Sequence, residues 1–173
     1  MKAATLKWRE KCWSLGNDEF VLHYQPKVNM RTGAIIGVEA LIRWQQPAKG
    51  LLPPAEFLPT IEDHPLAIAI GEWVIDRALS QMETWQAEGL NIPVSVNIGA
   101  RQLLQSDFPI RLREVLGRHP KIKPRDLGLE VLETSALEDI EHVSNIMKSC
   151  RAMGVTFALD DWRHLETQQD CLR

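Results

Sequence analysis

Hydrophobic and polar positions along the chain fall into short blocks whose period changes from element to element. Phe20 to Asn29 and Ala34 to Trp44 are rich in β-branched and aromatic residues. Met30-Arg31-Thr32-Gly33 separates them, and Gly33 can take positive φ, so the pattern predicts a β-hairpin. Pro53 and Pro54 open a short helical stretch through Glu62. After Pro65, Ile75, Ala78, Leu79, Met82 and Trp85 recur at helical spacing up to Gly89, a suitable stop. Val94, Val96 and Ile98 alternate with Ser95 and Asn97 as in a strand, which hands over to a helix through Gly99 and Ala100. Helices are expected from about Phe108 to His119 and from Glu138 to Met153, the second with Ile140, Val143, Met147 and Cys150 on one face and Gly154 as its stop. Strands are expected over Leu127 to Thr134 and Thr156 to Asp161. From Val94 onward strands and helices therefore alternate, the pattern of βα units around a parallel sheet, and the fold class is α/β.

The chain has 173 residues, room for one domain with a sizeable core but not for two. Hydrophobic residues make up 45% and charged residues 25%, as in an ordinary globular domain. Lys and Arg number 20 against 23 Asp and Glu, a formal charge of −3, which gives no electrostatic case for binding a DNA or RNA polymer. Cys12, Cys150 and Cys171 are odd in number and lack metal-type spacing; free thiols in a reducing compartment are expected, hence a cytoplasmic location. No secretory signal is visible at the N-terminus, and the apolar run from Leu66 to Ile70 is far shorter than the ~20 residues of a membrane span.

Polar residues are expected near the C-terminal ends of these strands: Glu39 and Arg43 in the second, Asn97 in the third, Glu130 and Glu133 in the fourth, then Asp160 and Asp161 in the fifth. Glu39 and Arg43 share a face through the two-residue period of a strand, and Glu130 is out of phase with Leu129 and Val131. Carboxylates from several strands converging on one mouth are how barrel enzymes build active sites, and an all-oxygen set with one amide suits Mg²⁺ or Mn²⁺. Each of these residues taken singly is more readily read as an ordinary strand-end charge that caps a helix or pairs with a lysine. The pair Asp160-Asp161 fits either a metal site or the N-cap of a following helix. The five histidines lack ligand spacing, and Trp44, Trp73 and Trp85 suit core or cleft walls better than a nucleotide-stacking platform.

The run Gly37-Val38-Glu39-Ala40-Leu41-Ile42-Arg43-Trp44 stands between His23-Tyr24-Gln25-Pro26-Lys27 and Leu51-Leu52-Pro53-Pro54-Ala55-Glu56-Phe57-Leu58-Pro59. Together with Val94 to Leu103, Leu129 to Thr134 and Phe157 to Asp161, in that order, it resembles the EAL domain family. These are signalling phosphodiesterases of bacteria that cleave cyclic di-GMP to linear pGpG on a modified (β/α)8 barrel. The resemblance implies that Glu39, Asn97, Glu130 and Asp160 form a first metal site. It makes Asp160 a bridge to a second metal also held by Asp161, with Glu39, Asp160 and Asp161 the catalytic residues. Arg43 would hold a substrate phosphate, Gln25 and Leu41 would line the dinucleotide cleft, and Glu133 matches the glutamate that steadies a loop after the Asp-Asp pair. Two-metal hydrolysis is the mechanism implied, with Mg²⁺ or Mn²⁺ as cofactor.

After Asp161 the family continues Phe-Gly-Thr-Gly-Tyr-Ser-Ser, whereas this chain reads Trp162-Arg163-His164-Leu165-Glu166 and on to Arg173. The family's lysine near the attacking water, a further glutamate for the second metal and a late glutamine have no counterpart. A complete (β/α)8 barrel also takes ~250 residues. The expectation is a truncated, TIM-like β/α barrel of EAL type with an N-terminal hairpin, divided into a helical lead-in (1–19), the truncated EAL domain (20–161) and a divergent tail (162–173). A first metal site is expected and a second is doubtful. Whether the chain is an enzyme is open: either a phosphodiesterase of impaired or absent activity, or an inactive module that binds cyclic di-GMP or a protein. An open sheet edge would favour a homo-oligomer.

Overall fold

The computed structural model describes residues 18–132 and 140–160, apart from the side chains of Leu132, Ile140, Leu159 and Asp160. Its first feature is the hairpin: β1 (Phe20–Val28) pairs antiparallel with β2 (Ile35–Gln46), in the register Phe20 opposite Trp44 and Gln25 opposite Glu39. Gly33 sits in the turn at φ 70°, where a Cβ would be disfavoured. A short strand, β3 (Gly50–Leu52), folds back on β2, then α1 (Pro54–Phe57) and a 3-10 turn (Leu58–Thr60) replace the single helical stretch expected there. β3 carries no alternation over its brief length and is defined only by its partner.

The long helix α2 runs over Leu66–Ala87, and the Leu66 N–H donates to Nδ1 of His64, which satisfies one of the open donors at its start. β4 (Val94–Ile98), the short α3 (Ala100–Leu103) and α4 (Phe108–Arg118) follow. A 3-10 turn (Pro124–Asp126), β5 (Leu127–Leu132), α5 (Ile140–Arg151) and β6 (Thr156–Asp160) complete the order. Gly89 and Gly154 adopt φ of 86° and 102° just after α2 and α5, as expected of helix stops. The strands lie in the order β1-β2-β4-β5-β6, with β3 also on β2; β2, β4, β5 and β6 are mutually parallel. This is the predicted α/β architecture.

The core lies on one side of the sheet. Val38, Ala40, Ile42, Val94, Val96, Ile98, Leu127, Leu129 and Val131 point to it and meet Val74, Ala78 and Leu79 of α2, Leu112 and Val115 of α4, and Val143 and Cys150 of α5. Fully burying each Leu, Ile or Val side chain contributes about 1.5–3 kcal/mol. Aromatic rings close the hairpin end. Phe20 lies 5.7 Å from Phe57, 5.9 Å from Trp44 and 6.0 Å from Trp73, and Tyr24 meets Trp85 edge-on at 4.8 Å. Polar contacts tie α4 and the residue after it to α2: ion pairs of Arg111 with Glu72 at 2.9 Å and Arg118 with Asp76 at 3.0 Å, and the His119 ring between Asp76 and Glu83 at 3.2 Å each. The burial of Cys150 pushes its thiol up to about 11, which suits an inert core residue.

Two outcomes follow from this packing. Phe57→Ala removes the ring shared by Phe20 and Trp44, and should cost about 3–5 kcal/mol in urea unfolding; a loss below about 1 kcal/mol would show that the cluster does not hold α1 to the hairpin. Burial, partly opposed by the Arg77 charge, raises the phenol of Tyr24 to about 12. Tyr24 is the chain's one tyrosine, so tyrosinate absorbance reads it alone. The folded phenol keeps its proton more tightly than the unfolded one, near pH ~10, so its stabilising effect is complete below that value and is lost as pH climbs toward about 12. A midpoint at the unfolded value in folded protein would contradict the Trp85 contact.

Candidate functional site

The side of the sheet opposite the core is polar, and strand alternation makes it so. Residues at the even steps from Glu39 leave the core: Gly37, Leu41 and Arg43 on β2, Ser95 and Asn97 on β4, Gly128 and Glu130 on β5. On β1 the register adds Gln25, opposite Glu39, and Lys27, opposite Gly37. Glu39 neighbours Ser95, and Asn97 neighbours Glu130, whose partner on β6 is Ala158. Asp160 closes β6 opposite Leu132; its side chain, together with Glu133 and Asp161, lies outside the described residues.

The groups at the centre are in contact or adjacent. Asn97 donates from Nδ2 to Oε1 of Glu39 at 2.8 Å, diagonally across β2 and β4, which fixes the carboxylate and leaves the amide oxygen of Asn97 as an acceptor. Glu130 is buried, with its side chain only 9% exposed, and forms an ion pair with the ammonium of Lys27. Two strands stand between β1 and β5, and the register sets Lys27 four residues behind Glu130 along the strands, so in a flat sheet their backbones would be roughly 20 Å apart at ~4.8 Å per strand step and ~3.3 Å per residue. The pair closes because the sheet curls toward its polar face, as a barrel wall does.

Arg43, half-buried, donates from Nη1 to the carbonyl of Ile42 at 2.9 Å. Burial lowers its guanidinium from the ordinary value while the charge of Glu39 opposes that shift, and it stays charged at any physiological pH. Leu41 is 4% exposed yet belongs to the polar side rather than the main core cluster. Gln25 is half-buried beside Glu39.

Glu39 lies mid-strand rather than near a strand end as expected, because β2 continues to Gln46 by pairing with β1 and β3 after its parallel pairing with β4 ends at Ala40. Lys27 is the site residue that sequence reasoning missed. It follows Gln25 by two positions in a strand, and that phase alone marked it as a neighbour of the same face.

Among the described residues no three His, Cys, Asp or Glu side chains are gathered as a metal cluster. The donor chemistry nevertheless fits a hard divalent cation. Glu39 and Glu130 supply carboxylate oxygens, Asn97 an amide oxygen, and the buried Glu130 already holds a positive charge, that of Lys27. The shallow groove between α2 and α4, about 550 Å³ and lined by Trp73, Asp76, Arg118 and His119, lies on the helical side of the sheet, away from these groups.

Comparison with known proteins agrees with the motifs. Residues 8–168 match the EAL domain family model. The chain is 41% identical over 150 residues to the bifunctional diguanylate cyclase/cyclic di-GMP phosphodiesterase MucR of Pseudomonas aeruginosa, covering 86% of this chain and 22% of that protein. It is 35% identical over 149 residues to the cyclic di-GMP phosphodiesterase PdeR of Escherichia coli, again 86% of this chain and 22% of the relative. Among solved structures, the PaMucR phosphodiesterase in its c-di-GMP complex superposes with a TM-score of 0.83 at 38% identity, over 91% of this chain and 63% of that one. The chain therefore spans about a fifth of these relatives' full length and under two thirds of the solved phosphodiesterase chain. By family model, sequence and fold together, the chain belongs to the EAL domain family.

Proposed function

We propose that this chain binds cyclic di-GMP on the polar face of its sheet in a divalent-metal-dependent manner, through the site that the EAL phosphodiesterase family uses for hydrolysis to pGpG. The observation that carries the reading is the constellation of Glu39, Asn97 and Glu130 on adjacent strands, with the Asn97 amide bonded to Glu39, in a chain that belongs to the EAL domain family. In this reading Glu39, Asn97, Glu130 and Asp160 hold a first Mg²⁺ or Mn²⁺, and Asp161 with Asp160 a weaker second. A cation bound there would acidify a coordinated water and polarise the scissile phosphodiester. The chain's own groups do the positioning. Asn97 orients the Glu39 carboxylate, Arg43 presents a permanent positive charge to a substrate phosphate, and Gln25 and Leu41 form the wall against which the dinucleotide lies. Glu133 is assigned to steadying the segment that follows Asp160 and Asp161, as its counterpart does in the family.

Turnover by these 173 residues assayed alone is expected to be absent or severely impaired. The residues from Trp162 to Arg173 present neither the lysine near the attacking water nor the further glutamate that the family resemblance calls for. Losing even one electrostatic contact at such a site commonly costs ~3–4 kcal/mol of barrier, or a factor of several hundred in rate. No helix among the described residues is long and apolar enough to cross a membrane, and a cytoplasmic bacterial setting completes the proposal.

Calorimetry should detect cyclic di-GMP binding with Mg²⁺ or Mn²⁺ and none with a chelator. Arg43→Ala should weaken it by roughly 10- to 100-fold, the worth of a hydrogen bond to a charged group. Metal-independent binding, or none at all, would remove the reading. Chromatographic detection of pGpG at a rate typical of enzymes, abolished in Glu39→Ala, would overturn the impaired-turnover expectation. The outer edge of β6 has no partner among the described residues, and self-association through it is part of the same proposal; light scattering that gives a compact monomer at micromolar concentration would refute it.

A further inference from the structure

We propose that Lys27 is an exchangeable counter-ion of the site: its ammonium neutralises Glu130 in the metal-free protein, and a divalent cation seated on Glu130 releases it to a phosphodiester oxygen of the dinucleotide. The inference rests on the EAL reading of the site but assigns a residue and a coupling that the reading does not contain. Glu130 is a carboxylate with its side chain 9% exposed, in a strand whose flanking Leu129 and Val131 are fully buried in the core. Left unpaired, such a charge is strongly destabilising. Lys27 meets that need from the far side of the polar face, with 37% of its side chain still exposed and a flexible four-carbon stem.

A cation on Glu130 and the ammonium of Lys27 cannot share that carboxylate without like-charge repulsion. Binding of the first therefore expels the second. The freed ammonium stays on β1, two residues from Gln25, on the polar face that also carries Arg43. Glu130 has then exchanged one cation for another, and the cleft has gained a mobile positive charge suited to the anionic ligand. Metal and dinucleotide binding become positively coupled through one side chain, whereas metal binding alone is opposed by it.

The test compares Lys27→Met and Lys27→Arg with wild type, by calorimetric titration with Mn²⁺ alone and then with cyclic di-GMP on the Mn²⁺-loaded protein. Lys27→Met should bind Mn²⁺ on the order of tenfold more tightly and the dinucleotide on the order of tenfold more weakly, within the usual range of coupling between sites. Lys27→Arg should restore most of the dinucleotide affinity. A residue that only props up Glu130 would lower both affinities in Lys27→Met, and that result, or no change in either, overturns the proposal while leaving the EAL reading intact. Wild type that binds neither Mn²⁺ nor dinucleotide overturns both. Should Lys27→Met fail to fold, amine acylation of wild type read by mass spectrometry decides. Labelling at Lys27 should rise with Mn²⁺ and fall again with cyclic di-GMP, and an unchanged Lys27 would sink the idea.

Discussion

The pleat of the parallel strands is the constraint on which the molecule depends. Each strand sends alternate residues to opposite sides, so sealing one side under α2, α4 and α5 delivers the other side as a continuous surface. Val94, Val96 and Ile98 are buried because helices cover them, and Ser95 and Asn97 lie on the opposite surface for the same reason. Leu127, Leu129 and Val131 do likewise for Glu130 on β5. A one-residue slip of β2 or β5 would drive a carboxylate into the core, and one of β4 the amide of Asn97, so the packing that stabilises the fold also fixes which residues meet on the polar face.

Electrostatics on that surface are arranged rather than averaged. Glu39 is oriented by Asn97 and lies near enough to Arg43 to act on its charge, while Glu130, the most buried of these carboxylates, takes its counter-charge from a strand it does not neighbour. A sheet that did not curl would leave Lys27 and Glu130 apart and the buried carboxylate uncompensated. Curvature, usually treated as a property of the backbone, is here tied to an ion pair across the cleft. The helical side carries its own polar ties, the Arg111–Glu72 ion pair and the His119 ring between Asp76 and Glu83, which anchor α4 and its following residue to α2 without reaching the polar face.

Most of the fold was legible in the sequence because period and punctuation are local. The alternation over Val94–Ile98 gave β4 to the residue, and Gly89 and Gly154 ended α2 and α5 at positive φ as their positions implied. The same local phase placed Glu39 with Arg43 on one face and set Glu130 apart from Leu129 and Val131, and family motifs named the candidate ligands. What tertiary structure alone decided is non-local. β3 exists because β2 offers it an edge; Glu39 stands mid-strand because β2 outruns its parallel partner; and Lys27 joins the site across 103 residues of chain because the sheet bends back on itself. Phase along a strand is encoded by neighbours in sequence, whereas which strand faces which across a curled sheet is settled only when the whole layer packs against its helices.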